Sequence, residues 1–208
     1  MDFDKIIEKD FNGIKMSYAY IYGNEKILLI KVGQDGTLRG KNDKYIKIGN
    51  RLKERYGISV IVASNHFTGS DNLGFDIKTV KDYIEEQRFL SYELNFMGYS
   101  NGALVGAWYG YKYPEIKNML LVNAPLSKQF YNTMDGIKNY NGNSLTCVYG
   151  SLDTSYMMAS FMLPKLNDKL NLEIVHGADH HFTGLEEELL SLPENYLFSN
   201  LEQKKGSR

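Results

Sequence analysis

Leu94-Asn95-Phe96-Met97-Gly98-Tyr99-Ser100-Asn101-Gly102-Ala103-Leu104-Val105-Gly106-Ala107-Trp108 changes character in its middle. Leu94–Met97 is a short apolar run of strand length, and Ala103–Tyr113 reads as a helix stopped by Pro114. Between them stands Gly98-Tyr99-Ser100-Asn101-Gly102, a Gly-x-Ser-x-Gly pattern in the strand–turn–helix setting that presents a serine nucleophile. So tight a turn leaves no room for side chains two residues to either side of the serine, which is why both places need glycine. Ser100 is then lifted clear of the sheet at a helix N-terminus. The N–H of Asn101 points to the same place, where it can hold a developing oxyanion.

The same alternation continues on both sides of this turn. Ser59–Ala63, Met119–Asn123, Leu145–Tyr149 and Leu172–Val175 are short apolar runs. Lys44–Tyr56, a stretch capped by Asp76 and running to about Leu90, Leu126–Tyr140 and Tyr156–Leu170 have helical spacing, and the tail from Leu185 carries a helix broken near Pro193. Near-continuous apolar strands separated by amphipathic helices predict a mostly parallel sheet covered on both faces. Ser17–Tyr22 and Lys26–Val32, separated by the Gly23-Asn24 turn signal, read as an antiparallel hairpin at one edge. The expectation is a single three-layer α/β domain over residues 1–208 with about seven or eight strands. The roughly 20 residues between Asn123 and Leu145 hold one helix, so no large cap domain is expected.

Ligands of such sheets bind beyond the carboxyl ends of the strands. A serine there needs a base, and the base needs an orienting acid. Three histidines follow the last strand: His176, His180 and His181. His180, deeper in the loop, is the preferred base, with His181 next and His176 last. Asp153 follows the preceding strand and completes the chain order Ser…Asp…His. Its other reading is a helix cap. Asp168, placed in a helix, and Asp179, beside the base, are weaker acids. The second oxyanion donor is expected from Gly33-Gln34-Asp35-Gly36, with the Gln34 N–H preferred. Tyr99, and His66 with Phe67, are candidates for lining the substrate pocket. A metal site built from His176, Asp179, His180 and His181 is disfavoured, because adjacent loop histidines point apart.

Composition narrows the partners. The 208 residues carry 24 Lys+Arg against 25 Asp+Glu, a net charge of −1, which removes the electrostatic reason to expect nucleic-acid binding. One cysteine, Cys147, leaves no intramolecular disulfide framework and no Cys-based zinc site. Charges interrupt the N-terminal MDFDKIIEKDFNGIK every two or three residues, and no run approaches the ~18 apolar residues of a membrane span. A cytoplasmic protein without membrane contact is expected, and a homodimer is left open.

Taken together, the Ser100 turn, the Gly150-Ser151-Leu152-Asp153 acid turn and the Gly177-Ala178-Asp179-His180-His181-Phe182 loop resemble the α/β-hydrolase superfamily. The GYSNGA stretch is similar to that of small esterase-like members and dienelactone-hydrolase relatives. The resemblance spans nearly the whole chain. It implies a Ser100–Asp153–His180 triad, His180 being the histidine three residues after Gly177, and no metal or organic cofactor. Two departures stand out. Val32-Gly33 replaces the His-Gly that opens many oxyanion loops, and Asp35 stands where glycine is frequent. The implied activity is a serine hydrolase of the carboxylesterase type acting on a small ester or thioester. The alternatives are an acyltransferase with the same triad and a catalytically silent binding domain on the same fold.

Overall fold

The computed structural model describes residues 2–66 and 71–201. Eight strands among these residues form one sheet: β1 (Lys5–Phe11), β2 (Ile14–Ile21), β3 (Asn24–Lys31), β4 (Ile58–Ala63), β5 (Glu93–Tyr99), β6 (Ile116–Val122), β7 (Ser144–Gly150) and β8 (Leu170–Val175). Their spatial order is β1-β2-β4-β3-β5-β6-β7-β8. From β4 to β8 every pairing is parallel, while β2 runs antiparallel to both β1 and β4.

The N-terminal hairpin exists, but its strands differ from those expected. β1 pairs with β2, around Asn12 and Gly13, which both have positive φ (56° and 88°). That is the backbone a tight hairpin turn demands, and Asn-Gly supplies it at least cost. The strands Ser17–Tyr22 and Lys26–Val32 do not pair with one another, because β4 lies between β2 and β3. Gly23 marks this crossover. A side chain there would come within 2.3 Å of the Gly57 carbonyl, so the segment packs against the end of a helix instead of turning back.

Six α-helices among the described residues cover the sheet: α1 (Lys44–Tyr56), α2 (Leu73–Gln87), α3 (Asn101–Tyr109), α4 (Phe130–Asn139), α5 (Tyr156–Met162) and α6 (Glu186–Tyr196). Alternation along the strands builds two cores. Ile27 and Leu29 of β3 face α2–α5 together with Phe96, Leu121 and Tyr149. Leu28 and Ile30 face α1 and α6 together with Val60, Val62 and Val122. Both faces of the central strands are therefore buried, as a parallel sheet requires.

Several helix boundaries differ from the sequence reading: α3 ends at Tyr109, α4 begins only at Phe130, and α5 stops at Met162, just before Pro164, so that Leu170 already opens β8. Asp76 lies inside the first turn of α2, not at its cap, and is completely buried. Its carboxylate meets the equally buried Lys31 ammonium of β3 at 2.7 Å, which explains an acid on an inward face. Pro193 does not break α6, which runs on to Tyr196. The connection from β6 to α4 is short, and the described residues contain no cap domain. No helix among them is long and apolar enough to cross a membrane.

Candidate active site

β5 ends at Tyr99, α3 begins at Asn101, and Ser100 between them has φ 54° and ψ −122°. A non-glycine residue held there is strained, and its neighbours enforce the geometry. The Ser100 N–H donates to the Val122 carbonyl at 2.8 Å. The Ser100 carbonyl accepts from the N–H groups of Ala103 and Leu104. A Cβ on Gly98 would lie 2.5 Å from Ala103 Cα, and one on Gly102 would lie 2.1 Å from the Lys31 carbonyl oxygen. Backbone occupies both places, so neither glycine can be replaced without moving the strand or the helix.

Ser100, His180 and Asp153 come together from three separate strand ends. His180 Nε2 lies 3.0 Å from Ser100 Oγ, and His180 Nδ1 lies 2.5 Å from Asp153 Oδ2. Placing the ring proton on Nδ1, where the carboxylate accepts it, leaves Nε2 free to accept from the serine hydroxyl. The Asp153 side chain is buried, while His180 is about one-third exposed. Asp153 Oδ1 also accepts the Ser155 N–H at 2.7 Å. The capping-type contact and the histidine contact thus use different oxygens of one carboxylate.

The two loops are locked to each other. The Leu152 N–H donates to the Ala178 carbonyl, and the Gly177 N–H donates to Ser151 Oγ. Asn123, just after β6, was not among the expected site residues. It is wholly buried, with φ 48°. Its Oδ1 accepts the Gly150 N–H at 2.9 Å, and its Nδ2 donates to the His180 carbonyl at 3.0 Å. The Tyr99 hydroxyl donates to the same carbonyl. An asparagine directly after a strand, at a place that favours positive φ, was the available signal in the sequence.

The other candidates fall into place around this group. His181 is exposed, with its ring edge-on to that of His180. His176 is exposed, and Asp168 sits exposed in the turn before β8, not in a helix. Hydrogen bonds from Thr183, and after them the His181 N–H, hold the Asp179 carboxyl down to about 2, with Oδ1 accepting both N–H groups. Among the described residues no three His, Cys, Asp or Glu side chains converge as metal ligands. His66 is exposed and is not part of the cavity wall beside Ser100, and Phe67 lies outside the described residues.

That cavity measures about 220 Å³ and is lined by Gln34, Lys44, Tyr99, Ser100, Asn101 and His180 among others. The Asn101 N–H opens α3 and so has no partner within the helix. Gln34, in the loop after β3, also lines the cavity. The replacement of His-Gly leaves Gly33 against Ser100, where an added Cβ would lie 3.5 Å from Ser100 Cβ. Asp35 is exposed, with its N–H donated to the Asn65 carbonyl.

No family model matches the chain, and no curated protein matches it by sequence at a significant level. Solved structures do match by fold. Est1E from Butyrivibrio proteoclasticus has a TM-score of 0.76 at 15% identity, over 93% of this chain and 98% of its own. XC6422 from Xanthomonas campestris, described as an α/β serine hydrolase without a lid, gives 0.67 at 15% over 92% of each chain. Dienelactone hydrolase from Anabaena variabilis gives 0.66 at 13%, over 92% of this chain and 97% of its own. With the sheet order and the Ser100 turn already described, these likenesses show that the chain has the α/β-hydrolase fold in a form without a large cap.

Proposed function

We propose that this protein is a serine hydrolase that cleaves a small carboxylic ester or thioester through an acyl-enzyme on Ser100. One observation carries the reading: a single imidazole bridges a strained serine at 3.0 Å and a buried carboxylate at 2.5 Å. A neutral serine is a weak nucleophile, and this arrangement supplies both a proton acceptor and a means of holding that acceptor in the right tautomer.

In the first half-reaction Ser100 Oγ bonds to the carbonyl carbon while its proton passes to His180 Nε2. The carbonyl oxygen becomes an oxyanion facing the N–H groups of Asn101 and Gln34. Asp153 stabilises the imidazolium. The tetrahedral intermediate then collapses: the bond to the leaving alcohol or thiol breaks, and His180 returns the proton to it. Water enters the uncapped cavity, gives a proton to His180 and attacks the acyl carbon. Collapse of the second intermediate breaks its bond to Ser100 Oγ, which takes the proton back from His180, and the acid leaves.

Ser100→Ala should lower turnover of an activated short-chain ester at least ~1,000-fold. A fluorophosphonate probe should label the native protein at Ser100. Undiminished turnover in Ser100→Ala, or a native protein that neither hydrolyses nor is labelled, overturns the proposal.

A further inference from the structure

We infer that the substrate carries an anionic group, a carboxylate or phosphate, beside its scissile carbonyl, and that Lys44 is the residue that selects it. The inference rests on the serine-hydrolase reading for the reaction but on separate observations for the anion. Lys44 opens α1, and its side chain lines the same cavity as Ser100 and His180. Its ammonium lies 3.2 Å from the centroid of the Tyr99 ring, the residue next to the serine. Among the described residues it forms no ion pair, and no Asp or Glu lines this cavity. A second cation, Lys41, shares the wall.

This placement is costly unless something anionic enters. Burial, and after it the like charge of Lys41, pushes the Lys44 ammonium down to about 7. The only acid at the start of α1 among the described residues is the N-cap Asp43, and its carboxylate is engaged by Arg39 at 2.7 Å, not by Lys44. Lys41, Lys44 and Lys47 also line a neighbouring cleft, whose lining includes one acid, Glu186. A lysine that stacks on an aromatic ring, shares the reacting serine's cavity and lacks a carboxylate partner is poised for a ligand's negative charge.

The test uses a matched pair of esters with one leaving group: the mono-ester of a dicarboxylic acid and the ester of the fatty acid of the same length. The native protein should favour the anionic ester in kcat/KM by about tenfold or more, the worth of one charged hydrogen bond. In Lys44→Met that ratio should fall to near one, and in Lys44→Arg most of it should remain. A second arm does not depend on turnover. Calorimetry on Ser100→Ala should show the anionic ester binding about tenfold tighter than the neutral one, with the difference lost in Ser100→Ala/Lys44→Met. Equal binding of the two esters, or a preference that survives Lys44→Met, overturns the inference. Preferential binding without any hydrolysis by the native protein leaves the anion site standing and overturns the reaction assigned to Ser100.

Discussion

Asn123 shows how one side chain can govern a site it does not enter. It ties the end of β7, through the Gly150 N–H, to the carbonyl of the residue that carries the imidazole. Truncation to alanine would leave a buried N–H without its acceptor and remove one of two donors on the His180 carbonyl, the Tyr99 hydroxyl being the other. The stranded N–H costs about 1–3 kcal/mol. Asn123→Ala should therefore lower stability by roughly that amount, read as a lower urea midpoint. It should also reduce kcat more than it raises KM, because the displaced group is the base and not a substrate contact. A variant that loses stability with kcat intact would make Asn123 structural only. This role was hidden in the sequence for a physical reason. The Ser100 turn is legible because the serine and its two glycines lie within five consecutive residues. The partners of Asn123 lie 27 and 57 residues away, and only the fold brings them close. The same holds for Lys44, whose meeting with Tyr99 joins the first residue of α1 to the last of β5.

Strands and helices were legible to different degrees for similar reasons. α1 occupies the expected Lys44–Tyr56, since its apolar face and the terminating Gly57, at φ 74°, are both local signals. The partners of β2 and β3 were not legible, because pairing is a choice between distant segments of equal local merit. Asp76 was read as a cap because aspartate at a helix start is ordinarily solvated. Only its partner across the β3–α2 interface makes its burial tolerable. Lys31 and Asp76 meet at 2.7 Å with both side chains inaccessible, and Tyr18 donates to the other carboxylate oxygen at 3.0 Å. Burial pushes the lysine's proton affinity down and the aspartate's up, each opposed by the partner's charge. Removing one member strands the other, which costs about 3–5 kcal/mol, whereas neutralising both costs far less. Lys31→Met should thus destabilise severely, and Lys31→Met/Asp76→Asn, which keeps an acceptor for Tyr18, should recover most of the loss. Denaturant midpoints of the two variants decide it. A double variant no more stable than the single one would mean that the pair itself, and not the avoidance of a lone charge, holds α2 to the sheet.

At the scale of the molecule, the two cores share one set of strands. Ile27 and Leu29 serve one face while Leu28 and Ile30 serve the other, so neither core can be lost while the strand remains in place. The face covered by α1 and α6 is further joined by Glu194, whose carboxylate meets Arg51 at 2.8 Å and Arg55 at 3.0 Å. Chains above about 150 residues often unfold through intermediates, and a helix layer that melts alone is the usual route. The shared strands argue against that route here. The single tryptophan supplies the test. Trp108 is buried on the opposite face, in α3, where its indole N–H donates to Thr133 Oγ1 of α4 at 2.6 Å. Its fluorescence reports only the α2–α5 side, whereas far-ultraviolet circular dichroism reports every helix. The two signals should trace one coincident urea transition. A dichroism change that precedes the fluorescence change would mean that α1 and α6 leave first. The wall that carries Lys44 would then be the weakest part of the molecule, and the cavity would lose its cation before the Ser100 turn unfolds.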